Sequence, residues 1–476
     1  MVAYSSGALM QGRMGAMPLH PIDRLLADAL PPGTLFSVGG RVRDELRLGA
    51  LSEPKDFDYV VTGLSFAQIE ERLKGLGRID LVGESFAVLK LTLHGESVDI
   101  APPRRERSTG VGHRSFDIES GADVSLEEDL GRRDFRMNAV ARALPEGSLV
   151  DPFGGAADIA ARRIDIIAPA AFREDPLRML RAAQFAARFD FSVSEATRTA
   201  MREAAPLSTT ISGERIMDEL QKLLVLSEKP SVGLRLLEET GVLALLFPEI
   251  LEGRGVEQNE WHAYDVLDHT YATLDAAPRG ELVLRLAALL HDVGKPRTKE
   301  GPHFYQHEQV GTGIARALLQ RVRFSGEVID EVEALVRNHM YVADPNLSEP
   351  ALRRFIRRVG AERLERQFAL RDADIRGSGL PKRDDSNERF EARVRAELAR
   401  KPPLGIRDLA IGGDDVLAAM LARGLVNSSF RGDKRVGAAL AQLLEKVTEQ
   451  PGQNERDSLL ALLEEYLASA EPERGS

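Results

Sequence analysis

Between residues 34 and 168 the apolar positions fall in short runs, alternating with polar positions or continuous, and turn residues separate them. TLFSV (34–38), FDYVV (57–61) and the two runs inside FAVLKLTLHGESVDIA have the two-residue period of strands, the last pair reading as a hairpin that turns at His94-Gly95-Glu96. RVRDELRL, directly after Gly39-Gly40, reads as the first turns of a helix. From about Phe172 onward the period changes: apolar residues recur three and four apart in segments rich in Ala, Leu, Arg and Glu, so the rest of the chain is predicted helical. Breaks are expected at 248–259, 377–387 (GSGLPKRDDSN) and Pro402-Pro403. These patterns predict a multidomain α+β chain: a disordered leader at 1–20, a head with a small mixed β-sheet at 21–168, an all-helical neck at 169–256, a helical body at 257–385 and a helical tail at 386–476.

Composition narrows the class. A chain of 476 residues is too long for one core, and 43 % hydrophobic with 29 % charged residues is ordinary for a soluble globular protein. Zero cysteines exclude disulfides and Cys-ligated zinc and fit a reducing, cytoplasmic setting. No run approaches the roughly 20 apolar residues of a membrane span, so no membrane partner is expected. The leader lacks the apolar stretch of a signal peptide, and Met14 and Met17 are alternative starts within it. A net charge of −11 argues against indiscriminate coating of nucleic acid. Locally, Arg353, Arg354, Arg357, Arg358, Arg363 and Arg366 stand against only Glu362 and Glu365, which reads as a basic helical surface. Nothing in these patterns fixes an oligomeric state.

The first chemistry lies in Asp56-Phe57-Asp58. Side chains in a strand alternate faces, so Asp56 and Asp58 share one face and can hold a pair of divalent cations suited to in-line attack on phosphorus. Gly39-Gly40 and the helix N-terminus after it receive a triphosphate, with Arg43 adding charge. Asp99, in the second hairpin strand, supplies a third carboxylate that completes the cage and assists deprotonation of an attacking hydroxyl; Arg104 and Glu106 follow it. In DLGRRDFRMNAVA, Arg132, Arg133, Asp134 and Asn138 suit phosphate and ribose contacts. Asp151-Pro152 with Gly154-Gly155 marks a tight turn. Asp175 and Arg178, three apart, are expected on one helix face, where the carboxylate accepts from an exocyclic amine and the guanidinium donates to the adjacent ring atom. Cytosine and adenine offer that amine, uracil and guanine an oxygen, so the pair accepts C and A and rejects U and G. Arg181 joins the nucleotide-contacting set.

The ordered set GGRVRD, DFD, residues 99–106, GRRDFRMNA, DPFGG, EDPLR and GERIMDEL, spread over about residues 35 to 225, resembles the class II tRNA nucleotidyltransferases, the bacterial CCA-adding enzyme and poly(A) polymerase family. The resemblance implies a nucleotidyltransferase head, a neck holding Asp175 and Arg178, and a body and tail that grip tRNA. The implied reaction is Mg2+-dependent, template-independent addition of C and A to the tRNA 3′ end from CTP and ATP, with release of pyrophosphate. Addition of CC only, of the terminal A only, or of poly(A) goes with the same motifs. Arg136 departs from the family, which usually has a small hydroxyl residue there; Arg133, Asp134 and Asn138 match.

Six of the nine histidines fall between His262 and His339. His269, His291-Asp292 in LAALLHDVGKP, and Asp374 in RDADIRG are imidazoles and carboxylates suited to a first-row metal, whose bound water hydrolyses phosphate esters. Their order resembles the HD phosphohydrolase superfamily, with His307 and His339 as extra ligands and Ni2+, Co2+ or Mn2+ as the metals the set suits. A rival reading makes this HD-type body the principal activity and the head an RNA-recognition module. Intact Asp56 and Asp58 argue against it, and two complete metal constellations argue against a purely RNA-binding scaffold.

Overall fold

The computed structural model describes residues 19–49, 57–82, 88–108, 116–382, 384–427, 429 and 431–469. Nearly all of the leader, and Asp56, lie outside the described residues. The chain divides into two compact units, Met1–Leu251 and Glu252–Ser476.

The first unit carries a seven-stranded mixed sheet. Its strands are β1 (Leu35–Val38), β2 (Phe57–Val61), β3 (Arg78–Val82), β4 (Val88–Leu93) and β5 (Glu96–Ala101), then, after a separate ribbon of β6 (Arg104–Ser108) and β7 (Phe116–Ser120), β8 (Ala141–Leu144) and β9 (Leu149–Val150). The order is β3-β4-β5-β2-β1-β8-β9, with β2 and β5 parallel and the other neighbours antiparallel. The expected hairpin is β4–β5: Leu93 faces Glu96, and His94 and Gly95 turn with φ of 51° and 88°, the two positive angles that a tight hairpin matching strand twist requires.

Helices α1 (Pro21–Ala29) and α3 (Phe66–Leu73) cover one sheet face, on either side in sequence of α2 (Gly40–Leu48). Ile22, Leu26, Ile69 and Leu73 pack there on Phe57, Tyr59, Leu89, Leu91, Val98 and Ile100. Each such fully buried aliphatic side chain contributes roughly 1.5–3 kcal/mol. Under this face Arg41 Nη2 lies 2.6 Å from Asp23 Oδ2, and the Tyr59 hydroxyl donates to Asp23 Oδ1 at 2.5 Å, tying α1 and α2 to β2. On the opposite face Val38, Val60, Ala139 and Ala141 meet Leu130 of α4 (Leu126–Gly131). After the sheet come α5 (Gly155–Ala160), α6 (Ala171–Glu174), α7 (Leu177–Phe189), α8 (Glu195–Ala204), α9 (Gly213–Leu226), α10 (Ser231–Glu239), α11 (Val242–Leu246) and α12 (Pro248–Leu251).

Among its described residues the second unit is helical apart from one two-residue hairpin ladder, Lys299–Glu300 against His303–Phe304. Its helices are α13 (Val266–Ala276), α14 (Leu282–Leu290), α15 (His307–Arg321), α16 (Gly326–Asn338), α17 (Glu349–Val359), α18 (Leu364–Gly377), α19 (Ser386–Ala399), α20 (Gly413–Ala422), α21 (Lys434–Glu449) and α22 (Arg456–Ser469). The last three form their own core around Val416, Leu443, Val447 and Leu459. The arginines of α17 are largely answered from α19 and α21. Arg353 donates to Glu397 at 2.5 Å and to the Thr448 carbonyl at 2.8 Å, Arg354 to Glu445 at 2.5 Å and to Glu449, and Arg357 to Glu445 at 2.8 Å. The basic surface expected here is therefore mostly internal pairing. No helix among the described residues is long and apolar enough to cross a membrane.

Candidate active site and metal centre

Asp58 on β2 and Asp99 on β5 are register partners on parallel strands. Their neighbours Phe57, Tyr59, Val98 and Ile100 point into the α1/α3 core, so alternation sends both carboxylates to the other face. Asp99 Oδ1 is buried with no hydrogen-bond donor among the described residues, and Lys90 Nζ lies 3.9 Å from it. Asp56 would precede β2 directly but lies outside the described residues.

Gly39 places the turn beside this face. Its φ is +74°, and a Cβ there would stand 3.5 Å from Asp58 Oδ2 and 3.3 Å from Arg133 Nη1, so glycine satisfies both the backbone and the close approach. Gly40 opens α2, whose N-terminus no side chain caps, leaving first-turn N–H groups for an anion. Arg43, expected at the triphosphate, is committed to protein partners instead. It is buried, donates to Asn138 Oδ1 at 2.9 Å and to Asp44, and its guanidinium lies 4.7 Å from the Phe189 ring centroid.

Asp129, given no role by the sequence reading, organises the arginines. Its carboxylate meets Arg132 Nη2 at 2.8 Å, Arg133 Nη2 at 3.2 Å and the Arg104 backbone N–H at 3.1 Å. Burial pushes its carboxyl up, but the two guanidiniums outweigh burial and hold it below the usual range. The signal was present: an acid three and four residues before two arginines at the end of a helix. Asp134 accepts from Asn138 Nδ2 and the Phe135 N–H, both at 2.8 Å, and from Arg181 Nε at 2.8 Å. It is buried, and against that burial Arg181 and Asn138 hold it ionised below the ordinary carboxylate pKa. Arg136 turns away, donating to the Ile166 carbonyl at 3.2 Å and lying 3.3 Å from Asp165. The DPFGG turn closes behind it: Asp151 accepts from the Gly155 and Ala156 N–H groups, and a Cβ on Gly155 would be 2.0 Å from the Arg136 carbonyl oxygen.

Asp175 and Arg178 do not share a helix face. Asp175 sits in the joint between α6 and α7 with φ −135° and ψ 99°, because the following Pro176 disfavours helical backbone at the residue before it. Its Oδ2 accepts from Arg215 Nη2 of α9 at 2.8 Å and its Oδ1 from the Leu177 N–H at 3.2 Å. Arg178 donates to the Arg132 carbonyl at 2.7 Å, so the α7 side chain is tied to the arginine-bearing turn. Arg215 lies within GERIMDEL and had been given no role.

In the second unit the histidines converge. His269 Nε2 lies 3.1 Å from Asp374 Oδ1, 3.4 Å from Asp292 Oδ2 and 3.2 Å from His291 Nε2. On the other side of Asp292, Oδ1 is 3.3 Å from His307 Nε2 and 3.5 Å from His339 Nε2. Two ligand triads, His269/His291/Asp292 and Asp292/His307/His339, thus share one carboxylate. Each ring is oriented by a carbonyl at Nδ1: Gly377 for His269 at 3.1 Å, Ala288 for His291 at 2.9 Å, Phe304 for His307 at 2.8 Å and Val336 for His339 at 2.7 Å. A carbonyl only accepts, so the proton sits on Nδ1 and the Nε2 lone pairs face the centre. Buried Asp292 Oδ2 has Lys295 Nζ 2.6 Å away and His291 Nε2 at 3.1 Å, and against its burial His291 and Lys295 hold the carboxyl well below the usual carboxylate range. Without a metal, burial lowers the His269 pKa but Asp292 and Asp374 push it up to about 9, whereas burial pushes His262 down to about 4. The cluster opens into a cavity of about 660 Å³ lined also by Trp261, Lys295, Met340 and Arg371.

Residues 35–165 match the poly(A) polymerase head domain, 190–253 a probable RNA- and SrmB-binding site of polymerase A, and 262–376 the HD domain. A multifunctional CCA protein of Stenotrophomonas maltophilia is 40 % identical over 321 residues, 65 % of this chain and 76 % of that one. Another, of Nitrosococcus oceani, is 36 % identical over 398 residues, 79 % and 94 % of the two chains. Among solved structures, the CCA-adding enzyme of Bacillus stearothermophilus in complex with CTP superimposes with a TM-score of 0.65 at 25 % identity, over 91 % of this chain and 93 % of that one.

Proposed function

The chain belongs to the family of multifunctional CCA proteins, and from that premise we propose that its head adds C and A to the 3′ end of tRNA from CTP and ATP, releasing pyrophosphate. The observation that carries this reading is the pairing of Asp58 with Asp99 on the face that Gly39 opens. Carboxylate oxygens, one of them buried without a donor, fit a hard cation such as Mg2+, with Asp56 completing the set. When bound, Mg2+ lowers the cost of charge building up on the reacting phosphate oxygens. Asp99 takes the proton of the attacking tRNA hydroxyl. The Gly39-Gly40 turn holds the triphosphate, and Arg104, Arg133, Asp134, Asn138 and Arg181 frame the nucleotide. Asp175 and Arg178 read the base edge, with Arg43 a strut behind the turn.

The division is a head at 21–168, a neck at 169–256, an HD-type domain at 257–385 and a tail at 386–476. The HD-type domain is a second, metal-dependent phosphohydrolase centre. Imidazole nitrogens with two carboxylates favour Ni2+, Co2+ or Mn2+ over Mg2+. A cysteine-free chain acting on tRNA is placed in the cytoplasm. The relatives' name favours full CCA addition over addition of CC, A or poly(A). The test is incubation with tRNA ending at the discriminator base, at CC and at CCA, with CTP and ATP separately and together. Stepwise extension to CCA and no further is expected; unlimited A tails or arrest at CC overturns the reading.

A further inference from the structure

Met340, 56 % exposed, lines the metal cavity and also a second cavity of about 700 Å³. The walls of the second cavity carry three guanidinium groups, Arg337, Arg358 and Arg363, against one carboxylate, Glu308, with Asn338 as a neutral donor. Arg363 is answered by Glu331 at 2.7 Å and by Glu362. Arg337 and Arg358 form no ion pair among the described residues; Arg358 lies only 5.7 Å from the Phe355 ring centroid, and both are exposed. This sets them apart from Arg353, Arg354 and Arg357 of α17, each of which has a glutamate partner. Two open guanidiniums with planar donor forks, in one cavity of an acidic chain, are suited to a phosphate diester. Between them and the metal ligands, the polarizable thioether of Met340 offers an apolar face on which a base can rest.

We propose that the second cavity is the phosphate subsite for the nucleotide next to the one at the metal centre, so that the HD-type centre works on the phosphorylated end of an RNA strand rather than on a mononucleotide. The proposal rests on the phosphohydrolase reading of that centre. Hydrolysis of a terminal phosphate places one water hydroxyl on phosphorus and breaks the bond to the ribose oxygen, which leaves with the remaining proton. Arg337 and Arg358 take no part in that step; they hold the preceding diester.

The test compares a diadenylate carrying a terminal 3′-phosphate with adenosine 3′-monophosphate, on the full chain and on Arg337→Gln/Arg358→Gln. In wild type loaded with Ni2+ or Mn2+, kcat/KM is expected to favour the diadenylate about tenfold, the scale of one charge-assisted contact. The double variant should lose that preference, and the dependence of binding on salt should flatten. Trp261 gives a second readout that needs no turnover: it is the chain's single tryptophan, lines the metal cavity and is 49 % exposed. With EDTA present, the diadenylate should perturb its emission at lower concentration than the mononucleotide, and less so in the double variant. Equal turnover and equal emission response for the two ligands overturns the subsite, as does a preference that survives the double substitution. If neither ligand is hydrolysed but the emission preference holds, the subsite stands and the hydrolytic reading falls.

Discussion

Arg215 holds Asp175: the guanidinium of α9 donates to the carboxylate at 2.8 Å across the joint between α6 and α7. The carboxylate proposed to read the base is therefore aimed by a residue on another helix. Asp175→Ala is expected to relax discrimination against UTP and GTP by roughly 1–3 kcal/mol, because a buried-edge acceptor is lost. Arg215→Ala should give a smaller loss in the same direction, since Asp175 remains but swings. kcat/KM for the four triphosphates checks both; an unchanged selectivity with a lowered melting temperature would make the pair structural.

Asp58→Ala should lower nucleotide addition by at least about a hundredfold, the scale of losing one preorganised charge partner, while tRNA affinity stays near wild type. Asp58 is half-buried on the sheet face opposite the α1/α3 core and belongs to no apolar cluster, so the melting temperature should hardly move. Addition within about tenfold of wild type would remove Asp58 from the metal site.

Much of this was legible in the sequence, and the misses have particular causes. The strands could be read because Phe57, Tyr59 and Val61 alternate with Asp58, and the hairpin because His94-Gly95 tolerates positive φ. The shared face of Asp175 and Arg178 failed because one proline outweighs helical spacing. Arg43 was read by its charge, whereas its place is set by Phe189 and Asn138, far away in sequence. His307 and His339, 32 residues apart, were legible as extra ligands from the crowding of histidines, but the backbone carbonyls that aim their rings are not, since no side-chain pattern displays them.

Asp134→Asn removes a charge that Arg181 faces inside the head, and it should destabilise that unit by about 3 kcal/mol at neutral pH, the scale of breaking a buried pair. The folded pKa of Asp134 lies below its unfolded value. Its contribution is therefore fully present above the unfolded value near 3.9 and is lost as pH falls through the folded one. Urea unfolding of both proteins should show a constant gap from about pH 5 to 8 that narrows below about pH 4. A gap that widens in acid would refute the assignment.

Elemental analysis should find up to two transition-metal ions per chain, one for each triad on Asp292. His307→Ala with His339→Ala should leave one. His291→Ala with Asp292→Ala should strip both and abolish any Ni2+-, Co2+- or Mn2+-stimulated phosphatase activity, while Mg2+-dependent addition continues in the head. Loss of addition in that folded double variant would mean that the two centres depend on each other.

The glutamates of α19 and α21 give α17 a set of resident counterions. A helix that would otherwise gather mobile salt, or any passing polyanion, has its charge answered by tethered carboxylates that cannot diffuse away. Only arginines left out of that arrangement remain open to a ligand, so the charge this stretch can offer a polyanion follows which guanidiniums the glutamates do not reach, and not how many arginines the helix contains. The pairing leaves Arg358 as the arginine of α17 without a glutamate partner among the described residues, and a chain lacking α21 is expected to bind polyanions more broadly than the whole protein does.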